Sequence, residues 1–155
     1  ERARACGADV SLAFALPERL PLPETDFCMA MANLLENAVE ACERAERGEG
    51  GAGERGSTAQ DGARPLFVDA EARIEGNAVL VSVRNSCTPS DARALAAAAP
   101  DGVLSSDARS AKREGDGIGL ASVATLAKRY RGEVQVEIDE YAATIHVLLF
   151  AGDAR

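Results

Sequence analysis

Residues 66–85 constrain the fold more than any other stretch of the chain. LFVDAEARI and AVLVSVRN each alternate apolar and polar side chains over a full strand length, and the turn residues EGN join them. A period-two pattern buries one face of a sheet, so the rest of the chain must supply something to pack on it. Two helical stripes do so. The first runs from about 26 to 46, with Thr25 or Asp26 as its cap and Phe27, Met31, Leu34, Leu35, Ala38 and Cys42 on one side. The second is IGLASVATLAKRYRG, residues 118–132, closed by Arg129, Arg131 and Gly132. VSLAFAL at 10–16 reads as a further strand, residues 90–99 as a short alanine-rich helix, and GEVQVEID with ATIHVLLF as a last hairpin. The order β-α-ββ-α-ββ predicts an α+β fold, a two-layer sandwich of helices against a mixed sheet.

The 155 residues suffice for one domain with its own core. Lys and Arg number 17 against 25 Asp and Glu, a net charge of −8, which excludes nucleic acid or an anionic membrane as the main partner. Cys6, Cys28, Cys42 and Cys87 are scattered without a CxxC pair, and His146 is the single histidine, so reduced thiols are expected rather than zinc or disulfides. No apolar run of about 20 residues is present, so no direct membrane contact is expected. Residues 47–64 are rich in Gly and charge and read as a mobile loop. Residues 86–116 form a long connection of the kind that serves as a lid. The chain starts in mid-pattern without Met, as a domain excised from a longer protein would.

Within the first helix, MANLLENAVEAC places Asn33 and Asn37 one turn apart. Asparagine is a poor helix former, and the two cost about 1 kcal/mol relative to alanine. Either they lie on an indifferent solvated face, or their amides hold Mg²⁺ and phosphate oxygens. GDGIGL, residues 115–120, opens the later helix; it is either a hinge or a phosphate-binding turn whose glycines admit close backbone approach. It is neither a dinucleotide fingerprint nor a P-loop. Lys112 is either a solvated loop lysine or a charge beside a polyphosphate. Asn85 ends a strand in VSVRNSC, as a turn former or as a reader of a ligand's edge.

Taken in order, these three segments resemble the GHKL ATPase superfamily, which includes gyrase and the histidine kinases. MANLLENAVEAC is similar to its N box, SVRNSC stands in place of the first glycine box, and GDGIGL resembles the second. The likeness is greatest to the ATP-binding domain of quorum-sensing-type sensor histidine kinases, including a helix ending in Tyr-x-Gly, here Tyr130, Arg131 and Gly132. It implies a Bergerat-type sandwich with a mixed sheet, helices on one face and a long ATP lid. One histidine-kinase-type domain would span 1–155, with its core at about 10–150. The resemblance makes Asn37 the Mg²⁺ ligand and puts Asn33 beside the metal, where related ATPases carry a water-activating glutamate. Asn85 would accept from adenine as a neutral partner, since Asn85-Ser86-Cys87 replaces the usual DxGxG. Lys112, Gly115, Gly117, Ile118, Gly119 and Leu120 would frame the phosphates. The implied activity is transfer of the γ-phosphoryl of Mg-ATP to a histidine on an upstream dimerisation segment. A response regulator would be served by the full-length kinase, a membrane-anchored bacterial sensor with this domain in the cytoplasm. His146, in an apolar strand, is expected to be structural, so the domain alone would not autophosphorylate. The alternatives are a non-catalytic nucleotide-binding or regulatory module and a GHKL-type ATPase or serine kinase.

Overall fold

The structure, a computed structural model, describes residues 1–48, 64–106, 118–139 and 141–152. Its strands are β1 (Asp9–Ala15), β2 (Phe67–Glu75), β3 (Ala78–Ser86), β4 (Glu133–Asp139) and β5 (Ala142–Phe150). Its helices are α1 (Arg2–Ala5), α2 (Glu24–Glu46), α3 (Pro89–Ala98) and α4 (Ile118–Arg129). One five-stranded sheet has the order β1-β2-β3-β5-β4. β1 and β2 run parallel, which requires a crossover, and α2 provides it; the other neighbours are antiparallel.

The alternation read in the sequence sorts the sheet into two faces. Val68, Ala70 and Ala72, then Val79, Val81 and Val83, then Ile145, Val147 and Leu149 are buried on the helical side. They meet Ala30, Met31, Leu34, Ala38 and Cys42 of α2 and Val123, Ala124, Leu126 and Ala127 of α4 in a single cluster. Each fully buried Val or Leu side chain stabilises the fold by about 1.5–3 kcal/mol. The mixed sheet and two-layer arrangement agree with the expected α+β sandwich. His146 falls on the opposite face, between buried Ile145 and Val147, with Nε2 3.8 Å from Glu137 Oε2. The four cysteines are free thiols.

Details depart from expectation at the helix ends. α2 begins at Glu24, with Pro23 as N-cap and no side-chain cap bond, so neither Thr25 nor Asp26 caps it. Proline is well suited to a helix start, where an N–H would lack a partner in any case. α4 ends in a Schellman arrangement in which Gly132 N–H donates to Ala127 O at 2.8 Å and Arg131 N–H to Lys128 O at 3.1 Å. The left-handed position is Arg131, with φ 54°, and not the following glycine. Gly132 is required for a different reason: a Cβ there would lie 1.6 Å from Leu148 O. α1 was not expected from the sequence; its four residues are too few to show a period. Most of the loop at 47–64, and residues 107–116 of the stretch read as a lid, lie outside the described residues.

Within 86–106, the chain is fixed at two places. Thr88 and Asp91 form a capping box at the start of α3, with Asp91 N–H donating to Thr88 Oγ1 and Thr88 N–H to Asp91 Oδ2. Arg44 Nε, on α2, donates to the other oxygen of Asp91 at 3.0 Å. Further on, Leu104 N–H donates to Val134 O and Val136 N–H to Gly102 O, so residues 102–104 lie along the outer edge of β4.

Candidate nucleotide site

α2 aligns Asn33, Asn37 and Ala41 at four-residue spacing, which puts them on one line of the helix surface. The line flanks the apolar stripe. Asn33 and Asn37 are partly buried, and α4 packs alongside, so the asparagines do not sit on a bare solvated face. Asn37 Nδ2 donates to Asn33 O at 2.7 Å. This holds the amide in one orientation and leaves its Oδ1 as the outward acceptor.

The start of α4 meets this line directly. A Cβ on Gly119 would lie 3.0 Å from Asn37 Nδ2 and 3.6 Å from Asn33 Cβ. Glycine at 119 therefore lets the first described turn of α4, with the positive dipole end of a helix, sit against the asparagine pair. Leu120 is partly buried and packs on the core, anchoring that turn. Ile118 is the first residue of the helix. Lys112, Gly115 and Gly117 lie outside the described residues.

Asn85 is 5% exposed near the end of β3, on the helical side of the sheet. Its Nδ2 donates to Ser86 O at 2.9 Å, which leaves Oδ1 as the acceptor of the amide. Its register partner on β5 is Ala143, and Ala143 packs with Ala41 and Cys87 under Ala92 and Leu95 of α3. Asn85 thus lies in the floor beneath the next residue of the Asn33–Asn37–Ala41 line. The structure brings Asn33, Asn37 and Gly119 into contact and places Asn85 on the sheet below.

Two amide oxygens are hard donors of the kind Mg²⁺ accepts when phosphates and water complete its shell. Among the described residues, no group of three His, Cys, Asp or Glu side chains could hold a metal through protein ligands alone. The residues present therefore fit a metal bound together with a phosphate chain. Glu40, on the same helix, pairs with Arg44 at 3.9 Å rather than standing as an isolated charge.

Below the site, Cys42 Sγ points at Phe67 O and Ser86 O, and burial pushes its thiol up to about 11, with neighbouring Cys6 adding to the shift. Burial likewise pushes Cys87 up to about 11, helped by Asp91 and Asp139. These are inert packing thiols. Sequence reading missed the Thr88–Asp91–Arg44 cluster, although Thr-Pro-Ser-Asp is a legible capping-box signal. It also missed the bond from Tyr130 Oη to Asp26 Oδ2, whose partners are 104 residues apart with no local signature.

Comparison with known proteins places the fold. Residues 23–151 match the family model described as histidine kinase-, DNA gyrase B-, and HSP90-like ATPase. No curated protein matches closely enough to count. Among solved structures, full-length ShkA in complex with AMPPNP is 23% identical with a TM-score of 0.57, over 99% of this chain and 28% of that one. The histidine kinase AdeS of Acinetobacter baumannii is 10% identical with a TM-score of 0.59, over 98% of this chain and 58% of that one. The catalytic domain of the histidine kinase ThkA is 16% identical with a TM-score of 0.61, over 97% of this chain and 83% of that one. The chain therefore spans little more than a quarter of ShkA and over half of AdeS. At these identities the structures share the fold, and the family follows from the matched model. With a single match running from the start of α2 to the end of β5, the chain belongs to the family of histidine kinase-, DNA gyrase B- and HSP90-like ATPases.

Proposed function

We propose that this chain binds ATP with Mg²⁺ between α2 and the start of α4, and donates the γ-phosphoryl to a histidine outside the chain. The observation that carries the reading is the seat of Gly119 on Asn37 and Asn33, which puts a helix N-terminus against two amide ligands. Asn37, with Asn33 beside it, would hold Mg²⁺, which when bound supplies charge neutralisation at the phosphate oxygens. The N–H groups at the start of α4 would hold phosphate oxygens, with Gly115, Gly117 and Lys112 completing the cradle. Asn85 would accept from the adenine amino group through its carbonyl.

Asn33 favours a kinase over an ATPase. An amide is a poor general base, so a water beside it is not activated and the phosphoryl group is kept for its acceptor. Catalysis then rests on position and on stabilisation of charge. The acceptor lies elsewhere because His146, the single histidine, is on the far face of the sheet from Asn33 and Asn37. In this reading the acceptor sits on a dimerisation segment of a longer sensor kinase, which serves a response regulator from a membrane anchor with this domain in the cytoplasm. Among the described residues no helix is long and apolar enough to cross a membrane.

Calorimetric titration with AMPPNP, with and without Mg²⁺, tests the site. Mg²⁺-dependent binding that Asn37→Ala weakens at least about a hundredfold is expected, the loss of a charged-group contact worth about 3 kcal/mol. Equal binding by wild type and Asn37→Ala would remove Asn37 as the ligand. Following γ-phosphate in the longer protein tests the activity: binding without transfer to histidine would identify a regulatory nucleotide module instead. Release of inorganic phosphate, or phosphate on a serine, would identify an ATPase or a serine kinase.

A further inference from the structure

The helices that form the site run antiparallel, and they touch at two polar places far apart. At one end Gly119 of α4 sits on Asn33 and Asn37. At the other, Tyr130, one residue past the end of α4, donates its hydroxyl to Asp26 Oδ2 in the first turn of α2. Arg129 Nη1 approaches the same oxygen at 3.5 Å. Between these points the helices carry apolar residues of one cluster: Ala30, Met31 and Leu34 on α2, and Val123, Ala124 and Ala127 on α4. Apolar contact is non-directional, so it sets how far one helix lies along the other less sharply than a directional bond does. A hydrogen bond to a carboxylate is directional and strong.

We infer that Asp26 and Tyr130 form a latch that sets the axial register of α4 on α2, and through it the position of Gly119 against the asparagine pair. Both are positioning residues. At about 1.5 Å per residue, the latch lies about 16 Å along α4 from Gly119 and about 10 Å along α2 from Asn33, too far to touch a ligand there. Tyr130 is 3% exposed, and the Asp26 side chain is 18% exposed, so the bond between them is largely shielded from water. The Tyr130 hydroxyl is held protonated above the ordinary tyrosine range, by burial first and then by its bond to Asp26, so the donor is present throughout the physiological range. The Schellman turn that follows, with Gly132 pressed on Leu148 and Tyr130 O accepting from Phe150 N–H, ties this end of α4 to β5, so the latch sets where α2 lies along a helix whose own end is anchored.

The consequence for ligand affinity rests on the nucleotide reading above, and the test separates the two. In the 155-residue chain without nucleotide, ¹⁵N–¹H spectra of Tyr130→Phe should show displaced signals for the Gly119 amide and the Asn33 and Asn37 side-chain amides. Asp26→Ala should displace the same signals, and Asp26→Asn, which keeps an acceptor, should restore most of them. AMPPNP affinity should fall about tenfold in Tyr130→Phe, the size of one hydrogen bond to a charged group, with the melting profile still cooperative. Unmoved Gly119 and Asn37 signals in both Tyr130→Phe and Asp26→Ala would overturn the latch. So would full wild-type affinity in those variants. If the wild-type chain takes up no AMPPNP, the proposed function falls and the spectra alone decide the latch. Should Tyr130→Phe unfold, the Asp26→Ala and Asp26→Asn pair carries the same decision.

Discussion

Gly119 meets Asn37 where a side chain would be crowded: a methyl carbon at 119 would lie 3.0 Å from Asn37 Nδ2, with Asn33 Cβ at 3.6 Å behind it. Gly119→Ala therefore sets two effects against each other. Alanine is the better helix former by about 1 kcal/mol, so the melting temperature should hold or rise by about 2–4 °C. The same methyl pushes the Asn37 amide off its bond to Asn33 O, so AMPPNP affinity should fall about tenfold or more. Differential scanning fluorimetry beside calorimetry checks this, and a parallel loss of both would place Gly119 in the fold and not in the site.

Asp91 is 4% exposed and accepts from Thr88 and Arg44, so its removal uncaps α3 and leaves the partly buried Arg44 with only the longer pair to Glu40 at 3.9 Å. Asp91→Ala should cost about 2 kcal/mol, the cap and the charged hydrogen bond together, and lower the melting temperature by about 4–8 °C. Thr88→Ala, which loses the cap alone, should cost about 1 kcal/mol. Thermal denaturation of both variants measures the difference. Equal small effects would show that the Arg44 pair contributes nothing beyond the cap.

The Tyr-Arg-Gly end of α4 predicts opposite outcomes for adjacent residues. Arg131 carries the positive φ of 54°, so Arg131→Gly should stabilise by about 1 kcal/mol. Gly132→Ala cannot be accommodated beside Leu148 O without moving the end of β5, and should cost more than about 3 kcal/mol. Urea titration of the pair checks both signs.

The thiols predict a pH dependence. Cys42 and Cys87 have native values near 11 against an ordinary 9.0, so the folded state holds these protons more tightly than the unfolded chain. Their contribution is complete below pH 9 and is lost as the pH climbs toward about 11. Stability measured from pH 7 upward should be flat and then fall. At pH 8 a thiol reagent should label exposed Cys28 rapidly and buried Cys42 and Cys87 only on unfolding. Rapid labelling of all four at pH 8 would contradict the packing around Cys42.

Strands and the two main helices were legible because burial of one face writes a period into the sequence, as in Val79, Val81 and Val83 or Met31, Leu34 and Ala38. The asparagine pair and the GIGL glycine were legible as departures from good helix chemistry. The sheet order was not, since nothing local in β5 says it inserts between β3 and β4. Contacts such as Arg44 with Asp91 or Tyr130 with Asp26 were invisible for the same reason: nothing near either partner in the sequence names the other. Gly132 was read as a turn former, but its role is to admit the backbone of a strand that arrives only in three dimensions.

The parallel pairing of β1 with β2 has a kinetic side. Asp9 finds Phe67 only after α2 and the loop behind it have been closed into a ring, whereas β2 with β3 and β4 with β5 close through tight turns. Loop-closure entropy makes such a distant contact slow to form. β1 is also a margin strand, with Leu12 57% and Phe14 47% exposed, so it gives up little water-shielded area when it leaves. The strand that arrives last is then the first to go: under native conditions the amides of β1 should exchange with solvent ahead of those of β3, while α2 still carries its asparagines against α4.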